Sequence, residues 1–532
     1  LHTRILIYAF ISISLIVLIS GCVGAPPTAS PVSATVVSTA EQDVYWPDDE
    51  WRVSSPEEQG IDSASILSML QEIQQKDLNI HSVLVIRHGY LVTEVYFPPY
   101  AREIKHPVYS VTKSVTSAMT GIAINSGQIK SLQQNALDFF PEIAAETKDK
   151  YLKDVTVEHL LTMSAGFNTN TMPDLYNKDA NFDSAKHILT YDSVLYKPGE
   201  TFFYDSGLPH LMSAIIQKTS GQTLEAYAKT NLFGPLGITD YGWQSDPQGI
   251  TTGNSGLVLR PRDMAKLGYL YLHNGQWSGK QIVPAEWVQA STTKHMETKG
   301  LMNAAEDGGY GYFWWIDSFG GYSAHGFGGQ YVFVLPKLDM VVVFTGGLAD
   351  PDFPAPHQLV KTYLLPAVQS AQPLAANPQM DDQLTTEIKN IQNTEKPAIS
   401  LPEIAKQISG KTYRLVGIQP AGWPTEITFT FSGGDTYTTS TLTANGEILT
   451  VTGGLKNVFY MNKLGPEGKI AAPFRGYWQD ERTFIEEQYF DLSSDIQFFT
   501  VTYIFDGKMV SVTVDSSMDS FPPLKGIGEI IE

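Results

Sequence analysis

Two stretches of dense apolar alternation bracket the first two thirds of the chain. Val83-Leu84-Val85-Ile86-Arg87-His88-Gly89 and Leu91-Val92-Thr93-Glu94-Val95-Tyr96 predict one hairpin. Tyr331-Val332-Phe333-Val334-Leu335, a turn through Pro336-Lys337-Leu338-Asp339, and a return along Met340 to Phe344 predict a second. Between them a long helical stretch opens at Ser110, and an apolar helix covers Leu211 to Ile216. Strands at both ends of a helical middle imply an α+β architecture, in which N- and C-terminal strands share one antiparallel sheet flanked by helices. Over 371–401 the pattern weakens into Pro, Asn, Gln and Asp, which predicts a linker. From 402 to 532 the character changes: Glu426 to Phe431 and Phe498 to Phe505 alternate, broken by Gly433-Gly434, Asn445-Gly446 and Asp506-Gly507. That pattern predicts an all-β meander or small barrel.

Length agrees with this division, because a single core stops growing at about 250–300 residues and the chain has 532. A first folded domain over 51–370 and a β-rich one over 402–532 are expected. The net charge of -20, with no cluster of Lys and Arg, excludes a phosphate-neutralising surface and hence a nucleic-acid partner. A single cysteine, Cys22, excludes a disulfide framework or a thiolate zinc site, and the eleven histidines are scattered. No metal and no cofactor are expected.

Cys22 is informative through its position. Arg4 is followed by an apolar run from Ile5 to Ile19, shorter than the roughly 20 residues of a spanning helix, and 1–21 reads as a signal peptide. Ile19-Ser20-Gly21-Cys22 resembles the lipobox of bacterial lipoproteins. The resemblance implies a lipidated Cys22 and an extracytoplasmic protein anchored to the cell membrane; an uncleaved membrane anchor is the alternative. Residues 22–50 then read as a flexible tether, uncharged and rich in Ala, Pro, Ser, Thr and Val up to about Thr39.

Three segments carry candidate chemistry. In Ser110-Val111-Thr112-Lys113 a serine at the first turn of a helix has a lysine three residues on, on the same face. Buried among apolar neighbours, such a lysine can lose its proton near neutral pH and act as a base toward the hydroxyl. A second copy, Ser291-Thr292-Thr293-Lys294, lies in a polar stretch with no apolar helix behind it and reads as chance. In Tyr204-Asp205-Ser206 a phenol sits on a turn just before a helix, where it can project into a cleft. In Ser323-Ala324-His325-Gly326-Phe327-Gly328-Gly329-Gln330, glycines beside a strand let a substrate approach the backbone, so that a strand N–H can join that of Ser110 at a developing oxyanion.

Taken in order, the three resemble the Ser-x-x-Lys, Tyr-x-[Ser/Asn] and Lys/His-x-Gly elements of the serine β-lactamase and penicillin-binding protein superfamily, on its class C side. The resemblance spans roughly Trp51 to Leu365 and takes in Glu158 to Gly166, Gly256 to Ala265 and Tyr310 to Trp315. Its flavour is that of the esterase and 6-aminohexanoate-dimer hydrolase branch. It implies a β-lactamase/transpeptidase-like sheet with helices and a Ser110 nucleophile that cleaves a small ester or amide through an acyl-enzyme. Lys113 and Tyr204 would handle protons, Ser206 would shuttle protons or orient substrate, and the N–H groups of Ser110 and Phe327 would hold the oxyanion. A D-alanyl carboxypeptidase or other peptidoglycan enzyme, and a peptide or β-lactam sensor that acylates without turnover, are the alternatives. The favoured register puts Gly326 at the third-motif glycine and Ala324 where Lys or His would stand; the other starts the motif at His325 and puts Phe327 in the glycine place. Either way Lys-Thr-Gly is absent, so small esters or amides are expected to be better substrates than β-lactams. The C-terminal part resembles lipocalin-like extensions and is assigned no chemistry.

Overall fold

The computed structural model describes residues 44–531 apart from 48–49, 171–178, 180, 192, 299–306, 394–400, 418–423, 444–445, 457, 466–469, 493–497 and 518–522. Cys22, the leader and nearly all of the tether therefore lie outside the described residues. Residues Tyr45 to Glu532 form one compact unit.

The two predicted hairpins form and meet. Ile80–Arg87 pairs antiparallel with Tyr90–Tyr96 on one side and with Met340–Gly346 on the other, and Met340–Gly346 pairs with Gln330–Leu335. This seam joins the two ends of the domain at the centre of an eight-stranded sheet. Tyr322–Gly326, Trp315–Asp317 and Asp307–Tyr310 extend it beyond Gln330–Leu335. Burial on both faces explains why the central strands are apolar runs rather than strict alternations. Leu84, Ile86, Val341 and Val343 face a large core shared with the helices, while Val83, Val85, Val342 and Phe344 pack on Ser63–Gln75 and the C-terminal helices.

Two expected boundaries are corrected. The segment 371–401 is not simply a linker: Pro378–Gln392 is a helix, with Leu384 and Ile391 buried in the second core and Ile388 packed against it. These three apolar residues recur at helical spacing in an otherwise polar stretch, so the signal is easily read as loop. The tether also ends earlier than residue 50, because Trp46 packs edge-on against Tyr269 at 5.8 Å and beside Trp277 at 5.5 Å. A fragment ending at Ser370 strips the second core of Leu384 and Ile391. We expect a fragment of residues 45–393 to melt cooperatively, and one of residues 45–370 to melt at least 5 °C lower; equal melting temperatures would show that the helix adds nothing.

Beyond a short helix, Glu403–Ile408, ten strands form the second sheet. A parallel contact between Gly454 and Arg475 closes nine of them into a barrel, with Tyr460–Leu464 outlying on Ile470–Trp478. Its interior is filled by rings, among them Phe429, Phe431, Tyr437, Trp478, Phe484 and Phe505. The barrel touches the first domain where Tyr489 meets Tyr100 edge-on at 6.0 Å, with Leu492 beside them.

Candidate active site

Helix Val111–Asn125 runs through the core with almost every side chain buried, and its composition makes this possible. Small hydroxyl residues donate hydrogen bonds to carbonyls instead of carrying bulk: Ser114 Oγ donates to Phe313 O at 2.7 Å and Thr116 Oγ1 to Gly253 O at 2.7 Å. Gly121 admits the Trp287 ring, which a β-carbon would meet at 2.2 Å. A lysine on such a helix is largely withdrawn from water, and Lys113 is 2% exposed.

Ser110 occupies the N-cap of this helix without capping it, so its hydroxyl is not engaged by the backbone amides of the first turn. Lys113 Nζ lies 2.7 Å from Ser110 Oγ and donates to the Asn254 carbonyl at 3.0 Å. Burial pulls the ammonium down to about 7, with Asp205 pushing the other way by favouring the charge. A neutral amine has two N–H bonds and one lone pair; with one N–H on Asn254 O, the lone pair can meet the serine proton. Tyr109, just before the nucleophile, has φ +46°, a strained left-handed conformation for an aromatic residue.

The Tyr204 ring lies 4.9 Å from Lys113 Nζ. Burial raises its phenol to about 12, and the facing Ser110 hydroxyl offsets part of this. Ser206 stands two residues on as the N-cap of helix Gly207–Ser220, again with no cap bond from its side chain. Ser110, Lys113 and Tyr204 are thus brought together.

The third segment contributes backbone more than side chains. The close approach falls at Gly326, where a β-carbon would sit 2.3 Å from the Val108 carbonyl, two residues ahead of Ser110. Phe327 follows with its ring 50% exposed and edge-on to Tyr109 at 5.6 Å. Ala324 is 1% exposed and lines an apolar pocket with Val111, Val115 and Trp314, so a lysine at 324 would enter that pocket. His325 points to the opposite face of the strand and stacks on Trp315 at 5.3 Å, which itself stacks on Tyr204 at 5.7 Å. The second Ser-x-x-Lys copy does not pair: Ser291 Oγ donates to Val288 O, and Lys294 bridges to Glu297.

Sequence reading missed Asp205 and Asn254, and named Trp315 only as part of the aromatic run Tyr310 to Trp315. Asp205 lay inside the quoted second motif, whereas Asn254 is 141 residues from Lys113 and offers only a main-chain oxygen. Among the described residues no group of three or more His, Cys, Asp or Glu is placed to hold a metal ion.

The Beta-lactamase family model matches residues 69–359, more than half of the chain, and the chain belongs to that family. The 6-aminohexanoate-dimer hydrolase of Paenarthrobacter ureafaciens is 24% identical over 343 residues, 59% of this chain and 84% of that protein. A family VIII carboxylesterase structure is 15% identical, covering 59% of this chain and 98% of its own, with a TM-score of 0.46. The penicillin-binding protein of Bacillus halodurans is 17% identical over 56% of this chain and 99% of its own, with a TM-score of 0.45.

Proposed function

We propose that the chain is a serine hydrolase that cleaves a small ester or amide through an acyl-enzyme on Ser110. The observation that carries this reading is the 2.7 Å contact between Ser110 Oγ and a buried lysine whose ammonium is brought down to about 7. At neutral pH much of Lys113 is free base and takes the serine proton as Oγ attacks the carbonyl. Tyr204, protonated up to about 12, is suited to pass a proton to the leaving group. The N–H groups of Ser110 and Phe327 receive the oxyanion, and water releases the acyl group. Ser206, buried two residues on from Tyr204 at the N-cap of helix Gly207–Ser220, is the residue that would orient substrate at the leaving-group side.

The substrate side follows from what the third strand lacks. A β-lactam presents a carboxylate beside its reactive carbonyl, and with Ala324 turned into the core no ammonium from this strand meets it. A charge-assisted hydrogen bond of about 1.5–3 kcal/mol is then missing, roughly one to two orders of magnitude in kcat/KM. We expect p-nitrophenyl butyrate to be turned over with a higher kcat/KM than a chromogenic cephalosporin. A preference for the cephalosporin would overturn the substrate reading, and single labelling without turnover would favour a sensor.

We also propose that Cys22 carries a lipid anchor that holds the enzyme at the outer side of the cell membrane, from the Ile19-Ser20-Gly21-Cys22 pattern. Cys22→Ser should then lose metabolic labelling by a fatty-acid probe and partition into the aqueous phase of a detergent extraction. Continued labelling of the variant would refute the anchor.

A further inference from the structure

His325 is held by a chain of hydrogen bonds that starts deep in the sheet. Asp317 is a buried carboxylate whose Oδ1 accepts from Ser323 Oγ at 2.8 Å and faces His357 Nε2 at 3.2 Å. A carboxylate has no proton to give, so Ser323 spends its single hydroxyl proton on Asp317. The 2.7 Å contact between Ser323 Oγ and His325 Nε2 must then be donated by the imidazole. A neutral imidazole with its proton on Nε2 carries a lone pair on Nδ1. No group among the described residues is hydrogen-bonded to that Nδ1, and His325, though packed between Trp315 and Tyr331, keeps part of its surface exposed.

The ring's place relative to the chemistry is fixed by stacking. Trp315 lies between the Tyr204 phenol and the His325 imidazole, at 5.7 Å and 5.3 Å, and Tyr331 packs on the imidazole's other side at 4.5 Å. One residue further along the strand, Gly326 backs onto Val108 beside the nucleophile. The imidazole therefore borders the cleft one indole beyond Tyr204.

We propose that Asp317 and Ser323 are positioning residues that lock His325 as the Nε2–H tautomer, making it a specificity residue whose Nδ1 accepts a hydrogen bond from substrate. The substrate class this selects is an acyl compound bearing a hydroxyl or N–H donor near the scissile carbonyl, in preference to one bearing a carboxylate there. The proposal rests on Ser110 being the nucleophile, and it adds an attractive contact to the missing cation of the third strand. Burial and the neighbouring His357 hold His325 well below its usual pKa, so a carboxylate meets a lone pair rather than an imidazolium.

Two readouts test it. In protein labelled with nitrogen-15 histidine, the spectrum should show His325 as the Nε2–H tautomer, assigned among the eleven histidines by its loss in His325→Phe. In initial rates corrected for spontaneous hydrolysis, p-nitrophenyl 3-hydroxybutyrate should exceed p-nitrophenyl butyrate in kcat/KM by about ten-fold, and mono-p-nitrophenyl glutarate should fall below butyrate. The hydroxybutyrate-to-butyrate ratio should drop to about one in His325→Phe, whatever the absolute rates. Ser323→Ala should lower the ratio and give mixed tautomers, and Ser323→Thr should restore both. An Nδ1–H tautomer in the wild type, or a ratio unchanged in His325→Phe, would overturn the proposal. Turnover of both esters with a wild-type ratio near one would overturn it while leaving Ser110 in place. No turnover of any ester would instead refute the Ser110 reading, with the tautomer still deciding the hydrogen-bond chain.

Discussion

Ser110→Ala is expected to abolish turnover of p-nitrophenyl butyrate and covalent capture by a fluorophosphonate, while the thermal melt stays close to that of the wild type. Loss of a nucleophilic serine typically lowers kcat by roughly 10⁶-fold, because the covalent route is closed rather than slowed. The fold should tolerate it, since the Ser110 hydroxyl caps nothing and faces only the site's own Lys113 and Tyr204 among the described residues. Residual labelling of Ser291 is not expected, because that serine is buried and its hydroxyl is committed to the Val288 carbonyl. Retention of the adduct in Ser110→Ala would transfer the nucleophile elsewhere.

Lys113→Met and Tyr204→Phe should each lower kcat by about 10²–10⁴-fold with little change in KM, since proton transfer is needed only in the transition state. The wild-type pH profile gives the sign. The free base of Lys113 is the active form, so kcat/KM should rise with pH through a midpoint near 7 and be lost below it. In Lys113→Met this rising limb should vanish. Stability should rise with pH as well: the folded lysine sits below its unfolded value of 10.5, so between about pH 7 and 10.5 the unfolded chain binds the extra proton and wild-type stability increases with pH. At pH 7 the methionine variant should melt above the wild type, and the gap should shrink towards pH 10. Activity comparable to wild type in both variants, with folding verified, would refute the two roles.

What could be read from the sequence followed the range of its signals. The hairpins announce themselves through contiguous apolar residues and a turn, and Ser110 and Lys113 lie one helical turn apart, so spacing alone places them on one face. Helix Pro378–Gln392 was hidden because its buried stripe is only Leu384, Ile388 and Ile391 among polar residues. Asn254 and Asp317 were out of reach for another reason: their importance lies in contacts made across the fold, and no local pattern marks a carbonyl that will accept from a lysine. His325 was named, but its tautomer depends on Ser323 and Asp317 and is invisible without the hydrogen-bond directions.

The central claim is an acyl-enzyme on Ser110, and intact-mass spectrometry of the wild type quenched in acid during steady-state turnover of p-nitrophenyl butyrate tests it most directly. The expected result is a fraction of the protein heavier by one butyryl group, mapped by peptide digestion to Ser110 and decaying once substrate is exhausted. Accumulation in Tyr204→Phe should be equal or greater if deacylation slows more than acylation. An adduct on any other residue, or catalytic turnover with no Ser110 adduct in either protein, would contradict the account.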